Sequence, residues 1–104
     1  MQQFVVIYVD DSGNLQAQPN PLNMSGGDSV VFGFDVPADV DMEGGKNGVN
    51  KGLTDAGSVT KGAGESTTIN TKAGADGTYT YVVDYPDGTN PSMTIRPQMI
   101  IKDK

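Results

Sequence analysis

The side chains able to do chemistry in this chain are its carboxylates, because the commoner catalytic groups are missing. Its 104 residues include no histidine and no cysteine. The first absence removes the usual general base and the usual transition-metal ligand; the second removes a thiol nucleophile, a thiolate ligand and any disulfide. Thirteen acidic side chains stand against seven basic ones. Two carboxylates can serve as general acid and general base when they meet in a cleft and their pKa values are driven apart. Asp35, Asp39 and Asp84 are the catalytic candidates, with Asp41 beside them, since strand-end loops of a sandwich converge at its poles. No Gly-x-Ser-x-Gly element accompanies them, so the sequence points away from an enzyme. An aspartate-dependent peptidase is the form that any activity would take.

Two acidic stretches have the look of cation loops. Asp39-Val40-Asp41-Met42-Glu43-Gly44 matches the start of an EF-hand loop, but Asn50 stands where the twelfth-position glutamate is needed. Asp84-Tyr85-Pro86-Asp87-Gly88-Thr89-Asn90 gathers oxygens in what reads as a tight turn, the residue types that fold back on their own backbone. Solvated acidic loops are expected in both places, with no metal and no cofactor.

These residues need elements to hold them. Fourteen glycines and six prolines favour short strands and many turns. Phe4 to Val9 predicts a central strand, ended by Asp10-Asp11-Ser12-Gly13. Leu15 to Met24 contains Pro19 and Pro21, which cannot donate to a ladder, and predicts an edge strand broken by a bend. Gly26-Gly27-Asp28 is a turn before a strand over 29–34, and 65–71 predicts a half-exposed strand. Thr78 to Val83 predicts the clearest strand, with Tyr79, Tyr81 and Val83 on the core face, and one tyrosine burying its ring while its hydroxyl bonds nearby backbone. Tyr8 and Tyr85 are expected to be freer, Tyr85 above all. Met93 to Ile95 and Gln98 to Lys102 predict the last strands. Residues 35–64 show no sustained apolar period; a hairpin at Asn47-Gly48 or one helical turn over Leu53 to Ala56 would shorten an otherwise long loop. Residues 1–104 read as one domain without internal repeats.

The order of these elements resembles the plastocyanin and azurin group of cupredoxins. Gly27-Asp28-Ser29-Val30-Val31-Phe32 matches that group's Gly-Asp-x-Val-x-Phe turn and strand, and Gly77-Thr78-Tyr79-Thr80-Tyr81-Val82-Val83 resembles its late Gly-x-Tyr-x-Phe/Tyr-x-Cys strand with valine at the cysteine position. Immunoglobulin-like sandwiches share the second pattern. The resemblance implies an all-β fold, a cupredoxin-like Greek-key sandwich of two mostly antiparallel sheets. It also implies four positions for copper ligands, and a blue-copper site needs two imidazoles, a thiolate and a weak axial thioether. Val83 stands at the thiolate position, Val40 and Pro86 near the two histidine positions, and Met93 near the axial methionine. Three of the four have no ligand to give, which excludes a blue-copper electron carrier.

A second resemblance is to cupredoxin-like domains described as self-cleaving Asp-Pro endopeptidases, with Arg96-Pro97 in the place of the cleaved bond before the final strand. Arginine cannot attack its own carbonyl as aspartate does, so cleavage is not expected. The function the sequence implies is therefore a copper-free cupredoxin-like binding or structural module acting through surface loops or strand edges, with a self-cleaving or aspartate-dependent hydrolase as the alternative. Its partner is an unknown protein, or a second copy joined through an edge strand, the C-terminal strand being the open edge expected. With net charge −6 and dispersed lysines, nucleic acid is not an expected partner. No apolar run reaches the length of a membrane span and no signal-peptide pattern opens the chain, so a soluble protein is expected. The compartment stays open, with an extracytoplasmic location implied only by the family resemblance.

Overall fold

A computed structural model describes residues 1–42, 54, 57–85 and 94–102. Among them lie eleven strands: β1 (Gln2–Val9), β2 (Leu15–Gln18), β3 (Leu22–Ser25), β4 (Ser29–Phe34), β5 (Ala38–Asp41), β6 (Ser58–Lys61), β7 (Ser66–Asn70), β8 (Gly77–Thr80), β9 (Val82–Asp84), β10 (Thr94–Ile95) and β11 (Gln98–Lys102). The first sheet has the order β2-β1-β4-β7. The second layer is hydrogen-bonded in two portions, β10-β9-β5-β6 and β3-β11-β8.

Those two portions share one register. Thr80 pairs with Gln98 and Val83 with Ile95, which sets Tyr81 opposite Pro97 and Val82 opposite Arg96. The Tyr81 amide donates to the Pro97 carbonyl at 3.1 Å. Proline has no N–H to return the bond, and the ladder is interrupted there. The predicted continuous strand over 78–83 is thus one chain run cut into β8 and β9 by the proline facing it.

The strand β1 is central, as its apolar run predicts, and pairs parallel with β4 and antiparallel with β2. The prolines act as the sequence predicts: β2 lies at the edge of the first sheet, and after the bend at 19–21 the chain crosses to the second layer as β3. There β3 pairs in parallel with β11. This overturns the expectation of an open C-terminal edge, because β11 sits between β3 and β8. Sheet order is set by contacts distant in sequence, and the strand that covers β11 comes from the N-terminal quarter of the chain.

Alternation along each strand fills the space between the layers. Val5, Ile7, Leu15, Ala17, Val30, Phe32, Phe34 and Ile69 enter from the first sheet; Leu22, Met24, Ala38, Val40, Val83, Met99 and Ile101 enter from the second. Phe32 and Tyr81 meet edge to face across the core, ring centroids 5.5 Å apart at 67°, a geometry adding roughly 0.5–1.5 kcal/mol beyond burial.

On the opposite side of the first sheet no strand position is charged. Its outward positions are Gln2, Phe4, Val6 and Tyr8 on β1, Gln16 and Gln18 on β2, Ser29, Val31 and Gly33 on β4, and Ser66, Thr68 and Asn70 on β7. Charged residues wait at the strand ends, as Asp10, Asp35, Glu65 and Lys72.

A buried acid fixes one end of this sheet. Asp28 is 2% exposed, and its Oδ2 accepts from the Ser25 amide at 3.0 Å. The Met1 amine lies 3.3 Å from Oδ1. The Asp28 carbonyl accepts from both the amide and the hydroxyl of Thr71. Gly27 takes φ +90° in this turn, and a Cβ on Gly26 would come within 2.9 Å of the Ala75 carbonyl, so both glycines are required. The Ser25 amide above all, then the Met1 amine, holds the Asp28 carboxyl below its ordinary value.

Candidate functional site

The pole singled out by Val40 and Val83 is built by β5 and β9, which run antiparallel with these two valines as direct partners. Val40 also pairs with Val59 on β6, and Val83 with Ile95 on β10. A row of four apolar side chains, Val59–Val40–Val83–Ile95, therefore crosses four strands on the core side. Val40 and Val83 are fully buried, while Val59 and Ile95 pack against the core from its margin. No cavity is found at this pole or elsewhere among the described residues. Pro86 and Met93 lie outside the described residues.

One residue along each strand, the pattern inverts. Thr60, Asp39, Asp84 and Thr94 form the neighbouring row, facing outward. Thr60 donates its hydroxyl to Asp39 Oδ1 at 2.6 Å, and Thr94 donates to Asp84 Oδ1 at 2.5 Å. The two carboxylates are direct cross-strand neighbours, an unfavourable juxtaposition for like charges, and each is held from its other side by a threonine.

Of the three catalytic candidates the structure brings together two, Asp39 and Asp84. Asp35 stands elsewhere, exposed just beyond β4, its amide donating to the Ile7 carbonyl at 2.9 Å. The pair lies on the outward side of the sheet, and among the described residues no cleft adjoins it. Among the described residues no group of three or more acidic side chains is placed to hold a metal ion.

The solvated acidic loop expected to start at Asp39 is corrected to a paired strand. Asp39 and Asp41 belong to β5, paired on both sides, and an extended strand cannot wrap a cation. Asn47-Gly48 and Leu53 to Ala56, apart from Thr54, lie outside the described residues; Thr54 forms an isolated bridge with Thr71 rather than part of a described helical turn.

The tyrosines divide the role expected of one. Tyr79 donates its hydroxyl to the Asp76 carbonyl at 2.6 Å but is only half-buried. Tyr81 is fully buried, and its hydroxyl has no hydrogen-bond partner among the described residues. Burial pushes the Tyr81 hydroxyl pKa far above its ordinary value. Tyr8 and Tyr85 are both half-buried, as Tyr79 is, so Tyr85 is not the exposed aromatic expected. Arg96 and Pro97, exposed and buried respectively, link β10 to β11 inside the second layer.

Two anchoring carboxylates escape the search for chemistry. Asp28 is described above. Asp10 gathers the β1–β2 turn, its Oδ1 accepting from the Ser12 and Asn14 amides and its Oδ2 from the Gln16 side chain. These bonds, the Asn14 amide first, lower its pKa. The signal for both is visible as turn sequences, Gly-Gly-Asp and Asp-Asp-Ser-Gly.

With strand order, register and pole in view, the fold is cupredoxin-like. Amicyanin, in the oxidized form of a point mutant, superposes with TM-score 0.62 at 15% identity, over 97% of this chain and 82% of that one. Native pseudoazurin from Hyphomicrobium denitrificans gives 0.57 at 20% identity, over 97% and 75%. Copper nitrite reductase from Nitrosomonas europaea gives 0.59 at 16% identity; it covers this whole chain but only 42% of the enzyme. At such identities the likeness establishes the fold alone. No protein-family model and no curated protein sequence matches the chain. No helix among the described residues is long and apolar enough to cross a membrane.

Proposed function

We propose that this chain is a copper-free cupredoxin-like module that binds a partner or serves structurally through its surface. The observation carrying this reading is the apolar row Val59–Val40–Val83–Ile95, in which Val40 and Val83 stand at two of the four positions where the family resemblance sets copper ligands. Copper is held by imidazole and thiolate in such sites, and the chain has neither group anywhere. Among the described residues no cavity opens beside the packed valines. What is left for contact is the outside of the sandwich, its loops and its uncovered strands. Nothing at Arg96–Pro97 or around Asp39 and Asp84 favours the hydrolase alternative.

The test is a Cu(II) titration of the full chain, followed by visible absorption, with intact mass recorded before and after long incubation. No intense charge-transfer band and an unchanged mass are expected. A strong band would overturn the copper-free reading, and a cut beside an aspartate or at Arg96–Pro97 would restore the hydrolase.

A further inference from the structure

The outer face of the first sheet departs from the rest of the surface in two ways that point the same way. The chain carries net charge −6, yet none of the outward positions on β1, β2, β4 and β7 is charged. Phe4 and Val6, two of the three exposed large hydrophobics among the described residues, stand at its centre, 62% and 45% exposed. Val31 lies beside Phe4 in register, and Gly33 lies beside Val6. A strand at the middle of a sheet ordinarily turns polar residues to water, and β1 turns a phenylalanine, a valine and a tyrosine outward.

We propose that this face is the contact surface of a homodimer, with two copies packed sheet on sheet. The proposal rests on the reading of the chain as a surface-acting module. Two observations select a second copy as the occupant. A two-fold contact must be self-complementary, and this face has both halves of a complementary shape: a projecting Phe4 and, on the next strand, the notch left by Gly33. A Cβ built on Gly33 meets nothing nearer than the Val5 carbonyl at 4.0 Å, so the notch is open and can receive a ring from the facing copy. The charge pattern agrees, since two acidic chains repel least where the meeting surfaces are neutral. Four strands about 4.8 Å apart and six residues of about 3.4 Å each make a plane of roughly 20 by 20 Å. Two such planes bury on the order of 800 Å² together, short of the roughly 1,200–2,000 Å² of stable interfaces. The dimer is accordingly a weak one, formed and dissolved by concentration.

The test is sedimentation equilibrium of the full chain from about 10 μM to about 1 mM, at low salt and at roughly 0.5 M NaCl. The mass is expected to climb toward that of two chains, and to climb further at high salt, where residual repulsion between acidic copies is screened. Gly33→Val fills the notch without changing charge, and its backbone is an ordinary strand conformation. It should weaken association at least about tenfold while its Tm stays level or rises. Phe4→Glu should weaken association by as much or more. A single-chain mass under all conditions would overturn the proposal. So would association that declines with salt, or association indifferent to both substitutions. Loss of the dimer together with a silent copper titration removes this face alone and leaves the copper-free module; a copper band removes that module whatever the mass.

Discussion

The two outward faces of this sandwich have opposite chemistry. On the first sheet the central strand shows Phe4 and Val6 to solvent, in a field of glutamine, serine, threonine and asparagine. On the second, the outward row reads Thr60–Asp39–Asp84–Thr94. Both faces flank the same core, and each row lies on the side turned away from it, so neither composition is needed to form the fold. An acidic face stays hydrated and resists edge or face pairing. A neutral apolar face does neither. Charge, more than shape, separates the side of this domain kept in water from the side open to contact.

The largest effect should come from moving a charge to the wrong side of a strand. Val83→Asp puts a carboxylate into the closed apolar row one residue from Asp84, and should cost about 4 kcal/mol or more, read from urea midpoints. Val6→Asp, on the outward side of β1, should cost only about 1 kcal/mol through lost strand propensity. Equal costs would break the comparison, because Val6 would then be a buried position and not an open surface.

An intermediate effect belongs to the first sheet's own hidden acid. The Asp28 carboxyl titrates below its ordinary value because the Ser25 amide, and then the Met1 amine, favour its charged form. It therefore adds stability above the unfolded carboxyl range, near about 3.9, and that stability is lost as pH falls through the lower folded value. Asp28→Asn should cost about 1–3 kcal/mol at neutral pH. It should also flatten the decline of stability between neutral pH and the acid range, measured as urea midpoints against pH. A variant as acid-sensitive as the parent would mean that other carboxylates carry the dependence.

The smallest effect tests the acidic row. Asp84→Asn relieves the juxtaposition with Asp39 and keeps an acceptor for Thr94, so a gain of at most about 0.5 kcal/mol is expected, shrinking as salt is added. A clear loss would show that the row contributes to stability and is more than a hydrated face.

Much of this fold can be read along the chain, and the exceptions share a cause. Residues of β1, β4 and β11 form dense β-branched and aromatic runs, and the strands fall where those runs do. β5 and β6 are invisible in the sequence because Ala38–Asp41 and Ser58–Lys61 are four residues long and offer one or two apolar side chains each. Their outward positions are charged or hydroxylated, so they read as loop until partners are supplied. The break at Tyr81 is hidden for the same reason, being caused by a proline sixteen residues later in the chain. At the site, the sequence shows which side chains are wanting. It cannot show that Val40 and Val83 are paired, nor that Asp39 and Asp84 stand together without Asp35, because those facts belong to register.

Pro97 has a further consequence for shape. Along the β8–β9 run every other position keeps its strand pairing, whereas at Tyr81 the bond runs in one direction only. A ladder rung that is fastened at one end lets the strands on either side of it rotate by different amounts. The second layer is therefore free to coil at that point without sacrificing any further hydrogen bond, because the tertiary amide nitrogen of Pro97 has no proton to give.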